Sequence, residues 1–234
     1  MRTFIKAKAR AYRKWLLQEA KSEIRSSQEL QWITRNIPVP IPSTIVSLQP
    51  STINWIVNEI IINKRSRILE LGAGTSTQII AQCLSQISDD KVDRRLLSIE
   101  ENAEWASHVS NVISSNDNQG YASVTHVPRA NGPGGFWYDE TVLNEVLADF
   151  KPDLLIIDGP AIKREKRTAD RSRVFHFFRD RMAESYTIFI DDTTRKAERQ
   201  LTKDWSAYVD AKPFFYNAYL GFIKKGAGFN SKPN

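Results

Sequence analysis

The sequence predicts an α/β protein built on a doubly wound, mostly parallel seven-stranded sheet that ends in a C-terminal antiparallel strand pair. Three observations carry that expectation. From residue 67 onward, five short and almost purely apolar runs alternate with helical segments, and runs apolar on both faces belong in a sheet covered by helices on both sides. Two further strand-like runs, PFFYNAY and LGFIKK, close the chain with no helix between them. The junction of the first run with its helix, LELGAGTST, sets Gly72 and Gly74 on either side of one alanine, in a chain with only ten glycines.

Each element has its own signal. Residues 1–36 show apolar side chains at helical spacing, with Ile5, Ala9, Tyr12, Leu16 and Ala20 in a stripe and Phe4 and Trp15 beside it. Pro38, Pro40, Pro42 and Pro50 then deny helix and favour an extended loop. That loop is the expected boundary between an appended N-terminal segment, 1–50, and the main domain, 51–234. STINWIVNEIIIN reads as a helix capped by Ser51 or Thr52. The strands follow as RILEL (67–71), RLLSIE (95–100), YASVTHV (121–127), DLLIID (153–158) and YTIFIDD (186–192). Helical runs separate them, except for a glycine-rich excursion, RANGPGGFWYDE, after the third strand and an arginine-rich segment after the fourth. The tail KKGAGFNSKPN reads as loose.

Composition narrows the class. With 41% hydrophobic residues among 234, the chain can bury one full core, which favours one large domain over two small ones. The single cysteine, Cys83, excludes an intramolecular disulfide and implies a reducing compartment; its setting in IIAQCLSQI implies a buried helix position. No apolar run reaches bilayer length and no signal-peptide core follows the basic N-terminus, so the expected location is the cytoplasm. The net charge of +6 is carried wholly by residues 1–36, which hold nine Lys and Arg against three acids. The rest of the chain is neutral, so the charge marks one end of the molecule and not a nucleic-acid face. That end reads as a helix docking on the domain or on a neighbouring subunit of a homo-oligomer, with contact to an anionic membrane surface as the alternative.

The glycine junction raises the functional question. A glycine turn between a first strand and its helix brings backbone N–H groups and a helix terminus next to a ligand. The third glycine of the G-x-G-x-x-G dinucleotide pattern is absent from Gly72-Ala73-Gly74-Thr75-Ser76-Thr77, which disfavours nicotinamide and flavin cofactors. Glu100 ends the second strand, where a carboxylate can accept hydrogen bonds from both hydroxyls of a ribose. Glu101 ranks second, since alternation points it away. These residues suggest a nucleoside site.

With LELGAGTST, LLSIEENAEW and DLLIIDGP in that order, the sequence resembles the class I S-adenosylmethionine-dependent methyltransferases over roughly residues 51–224, closest to small-molecule and sugar O-methyltransferases with a DGP motif. The resemblance implies S-adenosylmethionine as cofactor, held by Gly72, Ala73, Gly74, Thr75, Ser76 and Glu100. Glu70 matches the acid that faces the cofactor's methionine part, and Asp158 lies beside the sulfonium.

Methyl transfer asks for an acceptor held in line with the methyl group and, for a hydroxyl, a route for its proton. Asp158 ends the fourth strand, Asp191 and Asp192 end the fifth, and His126 follows the third; Asp158, His126 and Asp191 are therefore the candidate catalytic residues. Asp158, Asp191 and Asp192 together have two readings. They could hold a hard cation such as Mg2+, an arrangement similar to that of metal-dependent O-methyltransferases of the catechol and macrolide-sugar types. Alternatively, Asp158 orients the sulfonium or the acceptor while one of the other two caps a helix beginning at Thr193.

The basic run KREKRTADRSR is either a solvated face or a recognition site for phosphate or carboxylate on the acceptor, and the resemblance points at Arg171 or Arg173 and at Arg195. Trp137 and Tyr138 either line an acceptor pocket or pack their loop. His108 and His176 show no metal spacing. The expected acceptor is a small molecule or glycan, anionic if the arginines read it. Competing functions are an RNA or DNA methyltransferase, against which stand the neutral core and the absence of an Asn-Pro-Pro-Tyr type motif or a catalytic Pro-Cys, and a nucleotide-binding module without catalysis.

Overall fold

The computed structural model describes residues 2–87, 93–132, 135–161 and 171–233, with the backbone alone over 2–7. Three N-terminal helices come first, α1 (Arg2–Glu29), α2 (Gln31–Thr34) and α3 (Pro50–Ile62). Strands and helices then alternate as β1 (Arg67–Leu71), α4 (Thr75–Gln86), β2 (Arg95–Glu100), α5 (Ala103–Ser115) and β3 (Ala122–His126). A small hairpin follows, β4 (Arg129–Gly132) and β5 (Gly135–Tyr138). The second half comprises α6 (Glu140–Leu147), β6 (Leu154–Ile157), α7 (Arg173–Phe178), β7 (Tyr186–Ile190), α8 (Lys196–Tyr208), β8 (Phe214–Tyr216) and β9 (Leu220–Lys225).

The main sheet has seven strands in the order β3-β2-β1-β6-β7-β9-β8. The first five are parallel, β9 runs antiparallel to β7, and β8 antiparallel to β9. The expected doubly wound sheet with its terminal strand pair is therefore present. Alternate residues of each strand enter two cores. Ile68, Leu154, Ile156 and Phe189 pack with α3, α4 and α5, whereas Leu69, Leu71, Leu155, Ile157, Ile188 and Ile190 pack with α6, α7 and α8. The chain order reverses between β1 and β6, and ligands of such sheets bind at the carboxyl ends beside that switch.

Register sets what meets there. Leu71 is level with both Ile99 and Ile157, and Ile157 with Ile190, so Gly72, Glu100, Asp158 and Asp191 are each the first residue beyond one level line across four adjacent strands.

Several local expectations are corrected. Helix α3 is capped by neither Ser51 nor Thr52: Gln49 stands at its N-cap and Pro50 fills the first turn, where a missing N–H costs nothing. Ser51 binds Glu23 of α1 instead, its N–H at 2.9 Å and its hydroxyl at 2.5 Å. The glycine-rich excursion is the β4–β5 hairpin. The tail is anchored, because Ser231 is buried, accepts a hydrogen bond from Trp55 Nε1 (3.0 Å) and donates to Glu59. Cys83 is buried on α4 as expected, and burial pushes its thiol pKa up to about 12. Of the basic run, Lys163, Arg164, Lys166 and Arg167 lie outside the described residues. None of the described helices is long and apolar enough to cross a membrane.

Candidate active site

Gly72 and Gly74 serve different ends. Gly72 has φ +98°, and a Cβ there would stand 2.9 Å from the backbone nitrogen of Gly159. A Cβ on Gly159 would in turn lie 2.9 Å from Gly72 Cα, so two glycines let the loops after β1 and β6 touch. Gly74 is extended, and a Cβ on it would meet nothing within 4 Å. Its open side faces a cavity of about 260 Å³ lined also by Thr75, Ser76, Pro42, Thr44 and Trp105.

That cavity adjoins a larger cleft of about 670 Å³, the two sharing Val46, Ser47, Ala73, Trp105 and Asp158 as walls. Its lining follows the sheet edge in strand order, from Glu100 past Gly72 and Ala73 to Asp158 and on to Asp191 and Asp192, with Arg171, Arg195 and Tyr219 beside them. Glu100 is 6% exposed and accepts hydrogen bonds from the N–H groups of Ala73 (3.1 Å) and Asn102 (2.8 Å). Burial, reinforced by the charge of Glu101, raises its pKa to about 7. Lone pairs remain on that carboxylate for two hydroxyl donors.

Glu70 does not reach the cleft. It is fully buried, and its oxygens accept from Ser76 Oγ (2.5 Å), Thr77 Oγ1 (2.6 Å) and Ser98 Oγ. Thr77 Oγ1 also accepts from the Gly74 N–H at 2.8 Å. Strand alternation explains the placement: Glu70 faces the start of α4 and braces the glycine turn from below. Burial raises its pKa despite these three donors.

Asp158, Asp191 and Asp192 converge, each offering an oxygen within 4.8 Å of the others. Neighbouring residues of an extended strand would point to opposite faces. Asp192 escapes this by adopting φ +64°, a left-handed conformation rare outside glycine, which turns its carboxylate to the side of Asp191. Burial and mutual repulsion raise the pKa of Asp158 well above the usual range and that of Asp191 to about 6. Neither aspartate caps a helix at Thr193, because α8 begins at Lys196 with Arg195 as its N-cap.

The arginines separate by role. Arg171 is buried; it donates to the carbonyls of Asp158 and Pro160 and lies 3.6 Å from Asp192 and 3.4 Å from Glu198. Arg195, part exposed, binds Asp192 at 2.6 Å. Arg173 turns away to Glu140 at 2.7 Å, which resolves the choice between it and Arg171 as the arginine that reaches the cleft. His126 is also out of place: it is exposed on the edge strand β3 and is not among the residues lining the cleft. Trp137 and Tyr138 are fully buried in the second core and pack their hairpin onto the domain.

Sequence reasoning missed three contributors. Trp105, in the first turn of α5, donates its indole N–H to the Ala73 carbonyl at 2.7 Å and stands over the glycine turn. Its place within EENAEW is the one signal that could have found it. Glu101 is not turned away, because β2 has ended at Glu100; its carboxylate accepts from Arg129 (2.9 Å) and the Ala161 N–H (3.0 Å). The proline-rich segment supplies Ile45, Val46, Ser47 and Gln49 as a wall.

No family model and no curated protein matches this sequence. Among solved structures, an O-methyltransferase from Bacillus cereus in complex with S-adenosylhomocysteine (SAH) aligns with a TM-score of 0.51 at 12% identity, over 87% of this chain and 89% of that one. A methyltransferase-like protein from Silicibacter pomeroyi aligns with a TM-score of 0.52 at 16% identity, over 80% and 90%. The O-methyltransferase TomG from Streptomyces achromogenes, involved in tomaymycin synthesis and in complex with S-adenosylmethionine, gives 0.50 at 11% identity, over 86% and 90%. The sheet order, the reversed terminal strands and these likenesses agree: the chain has the class I S-adenosylmethionine-dependent methyltransferase fold.

Proposed function

We propose that this protein transfers a methyl group from S-adenosylmethionine to a hydroxyl of a small molecule or glycan. The observation that carries the reading is one cleft along one sheet edge that brings Glu100, a glycine turn and three carboxylates together on four adjacent strands. O-methyltransferases among the structural neighbours support it. Glu100 would accept from the ribose hydroxyls, the open side of Gly74 would admit the amino-acid part, and Trp105 would flank the adenosine. Bound cofactor supplies an electrophilic methyl group, so the protein's work is to orient the acceptor and take its proton.

Asp158 and Asp191 suit proton acceptance. Both are held above the usual carboxylate range, and among the described residues neither forms an ion pair. The same donors fit a divalent cation, since Mg2+ takes oxygen ligands and these three carboxyl groups offer only oxygen. Asp158, Asp191 and Asp192 would hold the ion, which would lower the pKa of an acceptor hydroxyl.

Calorimetric titration with SAH tests the cofactor half. Wild-type protein should bind, and Gly74→Val should abolish binding at the cost of no more than a small drop in melting temperature, because its Cβ meets no protein atom within 4 Å and the loss is confined to a poorer helix N-cap. Gly72→Ala should instead lower the melting temperature through its clash with Gly159. For the reaction half, EDTA should stop transfer to a hydroxylated acceptor while SAH affinity stays, and Mg2+ should restore it. Turnover that survives EDTA would return the role to Asp158 as a metal-free proton acceptor.

A further inference from the structure

Helix α1 meets the domain along one side. Ser22 hydrogen-bonds Tyr216 at 3.1 Å, Glu23 binds Ser51, Ser26 is buried, and Glu29 accepts from Asn54 at 2.5 Å. At about 100° per residue, Ser22, Glu23 and Ser26 fall within roughly a quarter-turn of one another. About half a turn away stand Arg10, Arg13, Lys14, Leu17, Lys21 and Ile24, all exposed, with Leu17 at 58% and Ile24 at 61%. No acid falls in that outer sector: the three acids of the helix are Glu19, Glu23 and Glu29, and they lie toward the domain or at its flank. Four of the nine Lys and Arg of residues 1–36 thus stand on a helix face turned from the domain, with Lys21 at its edge beside the groove that α1 forms with Phe214 and Tyr216.

An outer face so placed can lie flat on an extended anionic surface without the domain intervening. A second copy offers a poor counter-surface, since its own helix is equally basic and the remainder of its chain is neutral. Nucleic acid would answer the charge but not Leu17 and Ile24, two apolar side chains one heptad apart in the middle of the basic face. A bilayer interface answers both, because headgroups take the bases while the acyl boundary takes the apolar side chains. We propose that the outer face of α1 docks this protein on anionic lipid membrane, with Arg10, Arg13, Lys14 and Lys21 against headgroups and Leu17 and Ile24 entering the boundary.

Flotation of the full chain with vesicles of phosphatidylcholine, alone or with about 30% phosphatidylserine, tests this. The protein should rise only with the anionic vesicles, and 1 M salt should release it, since screening then acts within about 3 Å. Replacing Arg10, Arg13, Lys14 and Lys21 together by Glu should reduce partitioning on the order of a hundredfold or more, at roughly fivefold per lost base. The pair Leu17→Ser and Ile24→Ser keeps every charge; it should cost about tenfold on vesicles and leave binding to a mixed-sequence RNA duplex unchanged. Equal recovery with neutral vesicles, no recovery with anionic ones, or tighter binding to the duplex than to vesicles would overturn the proposal. The serine pair binding anionic vesicles like wild type would also overturn it.

Discussion

The carboxylate of Glu100 ties the ends of two loops together and carries a pKa near 7, so its protonation state changes across the neutral range. The sign follows from linkage. An acid whose folded-state pKa lies above its unfolded value binds its proton more tightly in the folded protein. The stability it contributes is therefore fully present below about pH 4 and is lost as pH rises through 7. The ligand-free protein should accordingly melt lower at pH 8 than at pH 5, and Glu100→Gln should shrink that difference in a fluorescence melt at the two values. Cofactor binding should run the opposite way, because the ionised carboxylate is the better acceptor for ribose hydroxyls. Glu100→Gln should weaken SAH by on the order of a hundredfold at pH 8, the equivalent of about 2 to 3 kcal/mol for a charge-assisted pair. Glu101→Gln should leave SAH affinity nearly intact, since that carboxylate is taken up by Arg129 and Ala161. Comparable losses from both variants would mean that Glu101, and not Glu100 alone, meets the ribose.

At the scale of elements, β1 and β2 begin and end where their apolar runs do, because a central parallel strand is buried on both faces and must look apolar throughout. The β4–β5 hairpin was not legible. Its strands are four residues long, and Arg129-Ala130-Asn131-Gly132 has no apolar alternation; what holds it is the burial of Phe136, Trp137 and Tyr138 on the partner strand. The convergence of Asp191 with Asp192 was legible as a pair of acids but not as a geometry, since it depends on one left-handed residue. The proline-rich segment read as a linker because its contacts are long-range. Gln78, on α4, accepts from the Ile41 N–H at 2.7 Å and donates to the Val39 carbonyl at 2.5 Å, and Thr75 donates to the Pro42 carbonyl at 3.3 Å. One glutamine side chain thus fastens the segment that walls the cavity at Gly74. Gln78→Ala would strand a buried N–H, at about 1 to 3 kcal/mol for the unsatisfied group. Urea denaturation should show that loss, and SAH should bind more weakly through the loosened wall at Val46 and Ser47. Unchanged SAH affinity in a destabilised variant would separate the wall from cofactor binding.

For the molecule as a whole, the question is where the folding unit begins, and burial decides it. Residues 8–18 are exposed on every side of α1, so a chain beginning at residue 19 gives up little buried surface among the described side chains and should keep its melting temperature and SAH affinity. Past Ser22 the segment joins the domain. Leu30, Ile33, Ile41 and Leu48 are each less than 5% exposed and belong to the same core as α3, α4 and α5. Burying four such side chains contributes roughly 6 to 12 kcal/mol at about 1.5 to 3 each, an upper bound because the unfolded chain already hides part of that surface. The net stability of a domain is about 5 to 15 kcal/mol. A chain beginning at residue 51, at the boundary that the prolines suggest, therefore loses an amount comparable to everything that holds it folded, and it also exposes the underside of α3 and α4. Circular dichroism of the two truncations should show a cooperative native-like melt for the shorter deletion. The longer deletion should show a broad or absent transition. A cooperative, SAH-binding protein from residues 51–234 would mean that the segment is an appendage after all, and that the sheet with its six later helices holds its core without it.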